Sequence, residues 1–285
     1  MTNNKKVIVH EANIKYHAKL AETYDQTQPH FRPENVIQVR KRIEEYAKRT
    51  AGKRLLDIGC GTGFVLSLAH SSFEEVYGID ITPAMLDNAT SKLKEQKVKN
   101  VKLIQTSSDN LPFPDSYFDV VTAYGFLHHL PELLPTFREV YRVLKNKGIF
   151  YADQDPNYYF WDSMKSLPTQ EKSISELLET ERKSVCDMAE EVQTIAGDDL
   201  DTNTIEMAEH LKTQGGFKEE VVKELLQKAG FGVEYINYKY IWYWQEGKVI
   251  KDLSLDAALY FENHLRSALP LTKGFFKYVR IEAIK

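Results

Sequence analysis

LLDIGCGTG, residues 55–63, is an apolar run that passes through an aspartate into a turn with glycine at every second position. An apolar strand that leads through a glycine-rich turn into a helix is typical of the first strand of an open α/β sheet. Ligands bind such sheets beyond the carboxyl ends of the strands, and glycines there let the backbone approach a ligand closely. The segment therefore predicts an α/β fold and the place of its binding site.

Short β-rich runs alternate with amphipathic helical stretches from this segment to about residue 153. Such alternation indicates βαβ units and a doubly wound parallel sheet, and the apolar character of the runs indicates strands buried on both faces. Two later strands are predicted to close the sheet as an antiparallel hairpin. The expected parallel strands are Arg54 to Ile58, Glu75 to Ile79, Val101 to Gln105, Phe118 to Tyr124 and Gly148 to Asp153.

The pattern divides the chain into four parts. Two N-terminal helices, from Glu11 to Ala21 and from Pro33 to Arg49, are expected before the core. After Asp155 come acidic stretches with helical periodicity, which we interpret as a lid; an exposed helix pair with a purely structural role is the alternative. The parts are a helical cap at residues 1–50, the α/β core at 51–154, the helical lid insertion at 155–214, and the remainder of the core at 215–285 with an inserted segment at about 242–269.

The composition is that of a globular protein, with 42% hydrophobic and 27% charged residues in a chain of 285. Because 41 acidic residues outnumber 37 basic ones and no basic groove is evident, we expect no nucleic-acid partner. The two cysteines, Cys60 and Cys186, indicate neither a disulfide framework nor a zinc site, so we expect no metal and a cytoplasmic location. No signal peptide or membrane span is expected, and both a monomer and a homodimer stay open.

The glycine spacing discriminates between ligands. A dinucleotide-binding turn reads G-x-G-x-x-G or G-x-G-x-x-A, whereas here Phe64 occupies the last position. Asp57 would repel a pyrophosphate but suits a ligand that carries an ammonium group and a sulfonium, as S-adenosylmethionine (SAM) does. Asp80, at the end of the next predicted strand, can accept both hydroxyls of a ribose, which supports a nucleoside without choosing which.

Residues 53–153 resemble the class I SAM-dependent methyltransferases, especially the small-molecule and ubiquinone-biosynthesis-type enzymes. Five blocks carry the resemblance in order: LLDIGCGTG, VYGIDITPAML, SSDNLPFPDSYFDVV, GFLHHL and REVYRVLKNKGIF. The resemblance implies a Rossmann-like, seven-stranded, mostly parallel sheet with an antiparallel C-terminal hairpin and helices on both faces. It also implies SAM as cofactor and S-adenosylhomocysteine as product.

The resemblance further implies a cofactor site. Family members usually have Asp then Ala where this chain has Ser107 and Ser108, so the contact with the adenine amino group is expected to be weaker here or to move to Asp109. The implied cofactor residues are Asp57, Gly59, Cys60, Gly61 and Gly63 for the methionine part, Asp80 for the ribose, Ile81, Met85, Ser107, Ser108 and Asp109 around the adenine, Tyr124 beside the methyl-transfer path, and Tyr24 closing over the methionine end.

Methyl transfer needs alignment of an acceptor behind the methyl carbon, and a hydroxyl acceptor also needs a base. The candidate bases are His128, His129, Asp153 and His30; loop and strand-end roles are the structural alternative. Aromatic residues outside the cofactor motifs predict an aromatic or apolar small-molecule acceptor, methylated on oxygen or nitrogen. A SAM-binding protein that does not methylate, and a methyltransferase of a protein or lipid-like quinone, are the alternatives.

Overall fold

The computed structural model describes residues 3–167, 176–187, 193, 200–241 and 254–285. Seven strands in this part of the chain form one sheet in the order β3-β2-β1-β4-β5-β7-β6. The first five strands pair in parallel, whereas β7 pairs antiparallel with both β5 and β6. The predicted fold class is therefore confirmed. The strands are β1 (Arg54–Ile58), β2 (Glu75–Asp80), β3 (Val101–Gln105), β4 (Phe118–Tyr124), β5 (Leu144–Pro156), β6 (Ile236–Ile241) and β7 (Tyr278–Ile284).

Helices cover both faces of the sheet. Alternate residues of each strand point to opposite faces, so Leu55 enters one apolar core and Leu56 the other. In the described part of the chain the α-helices are α1 (Asn3–Leu20), α2 (Tyr24–Thr27), α3 (Pro33–Thr50), α4 (Phe64–Ala69), α5 (Pro83–Glu95), α6 (Leu133–Val143), α7 (Tyr158–Ser166), α8 (Glu176–Cys186), α9 (Thr202–Ala208), α10 (His210–Thr213), α11 (Glu219–Ala229) and α12 (Leu255–Ser267).

The start of helix α1 and both ends of strand β5 differ most from the sequence prediction, and β5 begins at Leu144 rather than Gly148. Helix α1 begins at Asn3 rather than Glu11. The sequence did not indicate this first part of the helix because the consecutive apolar residues Val7, Ile8 and Val9 do not follow a helical period. Of these three, only Val9 is buried. Strand β5 runs to Pro156 rather than Asp153, since its last residues still pair with β7. The extension places Asp155 inside the sheet instead of at the start of the insertion.

The N-terminal helix packs on the insertion. Tyr16 and Leu20 of α1 form an apolar cluster with Ile205 and Ala208 of α9. The chain before the core and the chain after β5 therefore meet over the carboxyl ends of the parallel strands. Residues 168–175, 188–192 and 194–199 of the expected lid, and residues 242–253 of the later insert, lie outside the described residues.

None of the described helices combines the length and the apolar character that crossing a membrane requires.

Candidate functional site

The glycine-rich turn after β1 is built from left-handed backbone. Gly59, Gly61 and Gly63 have φ angles of +66°, +50° and +86°, a region that costs other residues about 1–2 kcal/mol. A Cβ on Gly59 would lie 1.9 Å from Phe126 Cδ2, whereas a Cβ on Gly61 would meet nothing within 4 Å. The turn thus packs against the Phe126 ring at Gly59 and faces open space at Gly61.

Two carboxylates flank this turn. Asp80 Oδ2 accepts a hydrogen bond from Gly61 N at 2.9 Å, and its Oδ1 accepts one from Thr82 N at 2.8 Å. Asp57 is buried and accepts a hydrogen bond of 2.6 Å from Thr122 Oγ1. Burial raises the pKa of Asp57 to about 7, although the bond from Thr122 opposes the shift. A cation beside Asp57 would favour its ionised form.

A cavity of about 670 Å³, counted with its open mouth, lies over the turn; we call it the loop cavity. Asp57 and Cys60 line a smaller adjoining pocket of about 280 Å³ together with Gly59, Gly61 and Tyr124. Gly63 is the N-cap of α4 and Asp109 pairs with Lys6; neither lines these two spaces. The candidate cofactor residues in the wall of the loop cavity are Tyr24, Gly59, Gly61, Asp80, Ile81, Met85, Ser107, Ser108 and Tyr124.

The adenine candidates separate in the structure. Ser107 lies in the wall of the loop cavity and donates a hydrogen bond of 2.6 Å to Asp109 Oδ1. The other carboxylate oxygen of Asp109 lies 2.5 Å from Lys6 Nζ, an ion pair with α1. Ser108 Oγ lies 2.8 Å from Thr136 Oγ1. Asp109 is therefore held by Ser107 and Lys6 at the edge of the site.

The donor set fits SAM on observations of this structure. Gly61 leaves a space that a side chain would fill, and the acceptor oxygens of Asp80 lie at the end of the neighbouring strand. Asp57 supplies a buried carboxyl in the adjoining pocket, where a positively charged ligand would retain its charge. A nucleoside and a cationic amino-acid part can thus be bound side by side.

A second cavity, of about 1130 Å³ with its mouth, adjoins the first; we call it the histidine cavity. Both cavities are lined by His17, Tyr24, Gly125 and His129, which therefore lie between them. His128 and His30 line only the histidine cavity of the two. The structure thus brings the predicted bases His128, His129 and His30 to one cavity beside the loop cavity.

The hydrogen bonds of the paired histidines define their tautomers. His129 Nδ1 lies 2.8 Å from the carbonyl oxygen of Ala208, which can only accept, so Nδ1 carries the proton. His128 Nδ1 lies 2.8 Å from Asp155 Oδ1, which also accepts from His128 N. Burial lowers the pKa of His128 to about 3 and that of His129 well below its ordinary value. Both imidazoles are therefore neutral, and that of His129 has its lone pair on Nε2.

Asp153 takes a different position. It is fully buried and accepts hydrogen bonds from Tyr151 Oη at 2.6 Å and from Arg280 Nε at 2.5 Å. It lines neither of the two cavities nor the pocket at Asp57. A carboxylate that already has these partners holds β7 against β5, and Asp153 has no role in the proposed mechanism.

Several residues that line the two cavities were not predicted from the sequence. His10, Asn13 and His17 of α1 line the loop cavity, and their spacing of three and four residues would have shown a polar helix face had the helix been placed from Asn3. Glu209, Lys212 and Lys277 line the histidine cavity and had no local signal, because they come from the insertion and from the chain before β7.

A family model described as a methyltransferase domain matches residues 56–152, the stretch that contains the glycine turn, Asp80 and the paired histidines. This stretch of the chain is therefore similar to a methyltransferase domain. The match ends inside β5, so α1, the insertion and the last two strands lie outside it.

Relatives share this methyltransferase domain. The uncharacterized methyltransferase YcgJ of Bacillus subtilis is 40% identical over 116 residues, 39% of this chain and 46% of that protein. The demethylmenaquinone methyltransferase of Geobacillus sp. is 38% identical over 126 residues, 41% of this chain and 54% of that protein. The chain therefore spans about half the length of the curated relatives it matches.

One solved structure aligns with nearly the whole chain. It is phosphoethanolamine N-methyltransferase 2 of Haemonchus contortus, in complex with phosphomonomethylethanolamine and S-adenosylhomocysteine. The alignment covers 99% of this chain and 60% of that one, with a TM-score of 0.59 and 16% identity. At this identity the likeness shows the fold alone.

Proposed function

We propose that this protein transfers the methyl group of SAM to an oxygen or nitrogen atom of a small organic molecule. One observation carries the proposal: the loop cavity, with Asp80 and the glycine turn in its wall, adjoins the histidine cavity and shares four lining residues with it. The first space fits the methyl donor, and the second is large enough for an acceptor.

The chain contributes binding, alignment and exclusion of water. When bound, SAM supplies a methyl carbon on a positively charged sulfur. Asp80 would hold the ribose of the nucleoside end, and Asp57 with the glycine turn the charged amino-acid end. Tyr24 and His129, in the walls of both cavities, would line the passage where donor and acceptor meet. Methyl transfer by in-line displacement requires chiefly this alignment.

The acceptor is proposed to be a polar small molecule rather than a purely apolar one. Besides its histidines, the histidine cavity is lined by the ion pairs Glu181–Lys277 at 2.8 Å and Glu209–Lys212 at 3.0 Å. Trp161 and Tyr278 supply an aromatic part of the wall. Of the other aromatic residues outside the cofactor motifs, Tyr238 and Tyr240 lie in the core, and Trp242, Tyr243 and Trp244 fall outside the described residues.

A quinone is a second candidate acceptor, because a demethylmenaquinone methyltransferase is among the relatives of the domain. Quinols present ring carbon and hydroxyl oxygen atoms, whereas the ion pairs of the histidine cavity favour a more polar molecule. Assays that compare quinols with phenols and amines distinguish a quinone-type acceptor from a more polar one.

The test is calorimetric titration of purified protein with SAM, followed by incubation with phenols, amines and quinols while S-adenosylhomocysteine is measured by mass spectrometry. We expect acceptor-dependent product that is lost in Asp80→Ala. Tight SAM binding without product from any acceptor would favour a protein that binds SAM without methylating. Absence of SAM binding would contradict the proposal.

A further inference from the structure

Three side chains from two separate parts of the chain converge in the wall of the histidine cavity: His128, His129 and Glu209. Each offers one ring nitrogen or carboxylate oxygen, and the three atoms lie within 4.8 Å of one another. His128 and Glu209 are buried, and His129 is half-buried. Two histidines and a carboxylate that converge on one point are a common ligand set for a transition-metal ion.

The surrounding hydrogen bonds fix the two imidazoles as ligands. His129 donates through Nδ1 to the carbonyl of Ala208, which leaves its Nε2 with a lone pair. His128 Nδ1 lies 2.8 Å from Asp155 Oδ1, and the tautomer that donates to this carboxyl likewise leaves Nε2 available to a metal ion. Metal-binding histidines usually donate their other ring N–H to a carboxylate or a backbone carbonyl, and these two show one case of each.

Glu209 is held in a matching way. Its Oε1 accepts a hydrogen bond of 3.0 Å from Tyr16 Oη, while its Oε2 lies buried 3.5 Å from His128 Nε2. Oε2 also forms an ion pair with the Lys212 ammonium at 3.0 Å. A cation between Glu209 Oε2 and His128 Nε2 would contact both atoms, and His129 offers a third ligand atom within 4.8 Å of each.

Lys212 is the group that competes with such a cation. Its ammonium lies 3.0 Å from Glu209 Oε2, and its side chain is about one-quarter exposed. It can therefore turn toward solvent, whereas the imidazoles are held by their Nδ1 hydrogen bonds. Metal–ligand distances of about 2.0–2.2 Å would require the three ligand atoms to close to roughly 3–3.5 Å.

We propose that His128, His129 and Glu209 bind a divalent first-row transition-metal ion whose open coordination positions face the histidine cavity. The role that we assign to the ion, which is to activate a hydroxyl-bearing acceptor, rests on the proposed function. A hydroxyl that coordinates the ion loses its proton to water, and its oxygen remains bound as the anion. No other reactant is needed for this step. The acceptor class is thus narrowed to alcohols, phenols and related oxygen nucleophiles.

The test uses the full chain after dialysis against a chelator, with Co²⁺ as the probe because its visible absorption reports coordination. We expect one Co²⁺ per chain, displaced by Zn²⁺. Glu209→Gln should weaken Co²⁺ binding by at least about 100-fold, and Tyr16→Phe, which only frees the carboxylate, by about 10-fold. His264→Gln removes an exposed histidine of α12 and should leave binding unchanged.

SAM titration and circular dichroism on the same samples separate the possible failures. Loss of Co²⁺ binding in a Glu209→Gln protein that still binds SAM supports the metal site. Wild-type protein that binds SAM but no stoichiometric Co²⁺ would show an ion-pair network with Lys212 and overturn the inference, as would equal Co²⁺ binding by Glu209→Gln and wild type. Co²⁺ binding without SAM binding would contradict the proposed function and leave the metal site supported.

Discussion

The two cavities are built by different means. Most residues in the wall of the loop cavity lie at the carboxyl ends of β2 and β4 or in the chain just after β1, β2, β3 and β4. The histidine cavity is formed by side chains from α1, the segment after β4, α8, the insertion and the chain before β7. The comparison teaches that the donor side can be read from short motifs, whereas the acceptor side depends on packing between distant segments.

The largest effect is expected for Gly59→Ala. The new Cβ would overlap Phe126 and occupy left-handed backbone, so the free energy of unfolding should fall by about 3 kcal/mol in urea titrations. Gly61→Ala is the matched control, because its Cβ meets no atom within 4 Å. It should cost about 1 kcal/mol of stability and act mainly on SAM affinity. Equal destabilisation by both changes would contradict this picture of the turn.

Next comes Asp80→Ala on the same side. Loss of two hydrogen bonds from ligand hydroxyls to a charged group should weaken SAM binding by about 100-fold in calorimetry. Asp87→Ala removes an exposed carboxylate from α5 and should leave the affinity unchanged. If both variants bind SAM as wild type does, Asp80 is not the ribose ligand.

The pH dependence of SAM binding should follow Asp57. Its carboxyl, with a pKa of about 7, is mostly neutral below pH 7 and ionised above it, and a cationic ligand prefers the ionised form. Affinity should therefore rise about tenfold between pH 6 and pH 8. Asp57→Asn should remove this contribution, while titration of the ligand itself affects both proteins alike. Identical profiles would rule Asp57 out as the cause.

The stability of the ligand-free protein should show the opposite trend. Because burial raises the pKa of Asp57, the folded protein holds a proton that the unfolded chain releases. Its contribution to the free energy of unfolding should fall as the pH rises from about 4 to about 7. Urea titrations should show a smaller fall in Asp57→Asn, and an unchanged slope would place the proton elsewhere.

The smallest effect is expected on the acceptor side. Trp161 is buried and lines the histidine cavity but not the loop cavity. Trp161→Phe keeps an aromatic ring of smaller size, so the KM of an active acceptor should rise about threefold with the Kd of SAM unchanged. A parallel loss of SAM affinity would mean that the two cavities are not independent.

The paired histidines show which part of the histidine cavity could be predicted from the sequence. Their place after β4 made them candidates, and the structure places both in the wall of the histidine cavity and His129 also in that of the loop cavity. Asp153 was a candidate on the same reasoning, but its hydrogen bond with Arg280 depends on the register of β7 against β5, which no local pattern carries. Glu209 was not a candidate at all.

The sequence by itself determined the sheet, the glycine turn and the two aspartates at the strand ends, because these follow from local apolar periodicity and from backbone conformations that glycine adopts. Only the tertiary structure decided that α1 reaches the loop cavity, that Asp109 pairs with Lys6, and that Glu209 meets His128. Such contacts join segments far apart in the chain, and their geometry depends on how whole helices pack over the sheet rather than on any residue's neighbours in sequence.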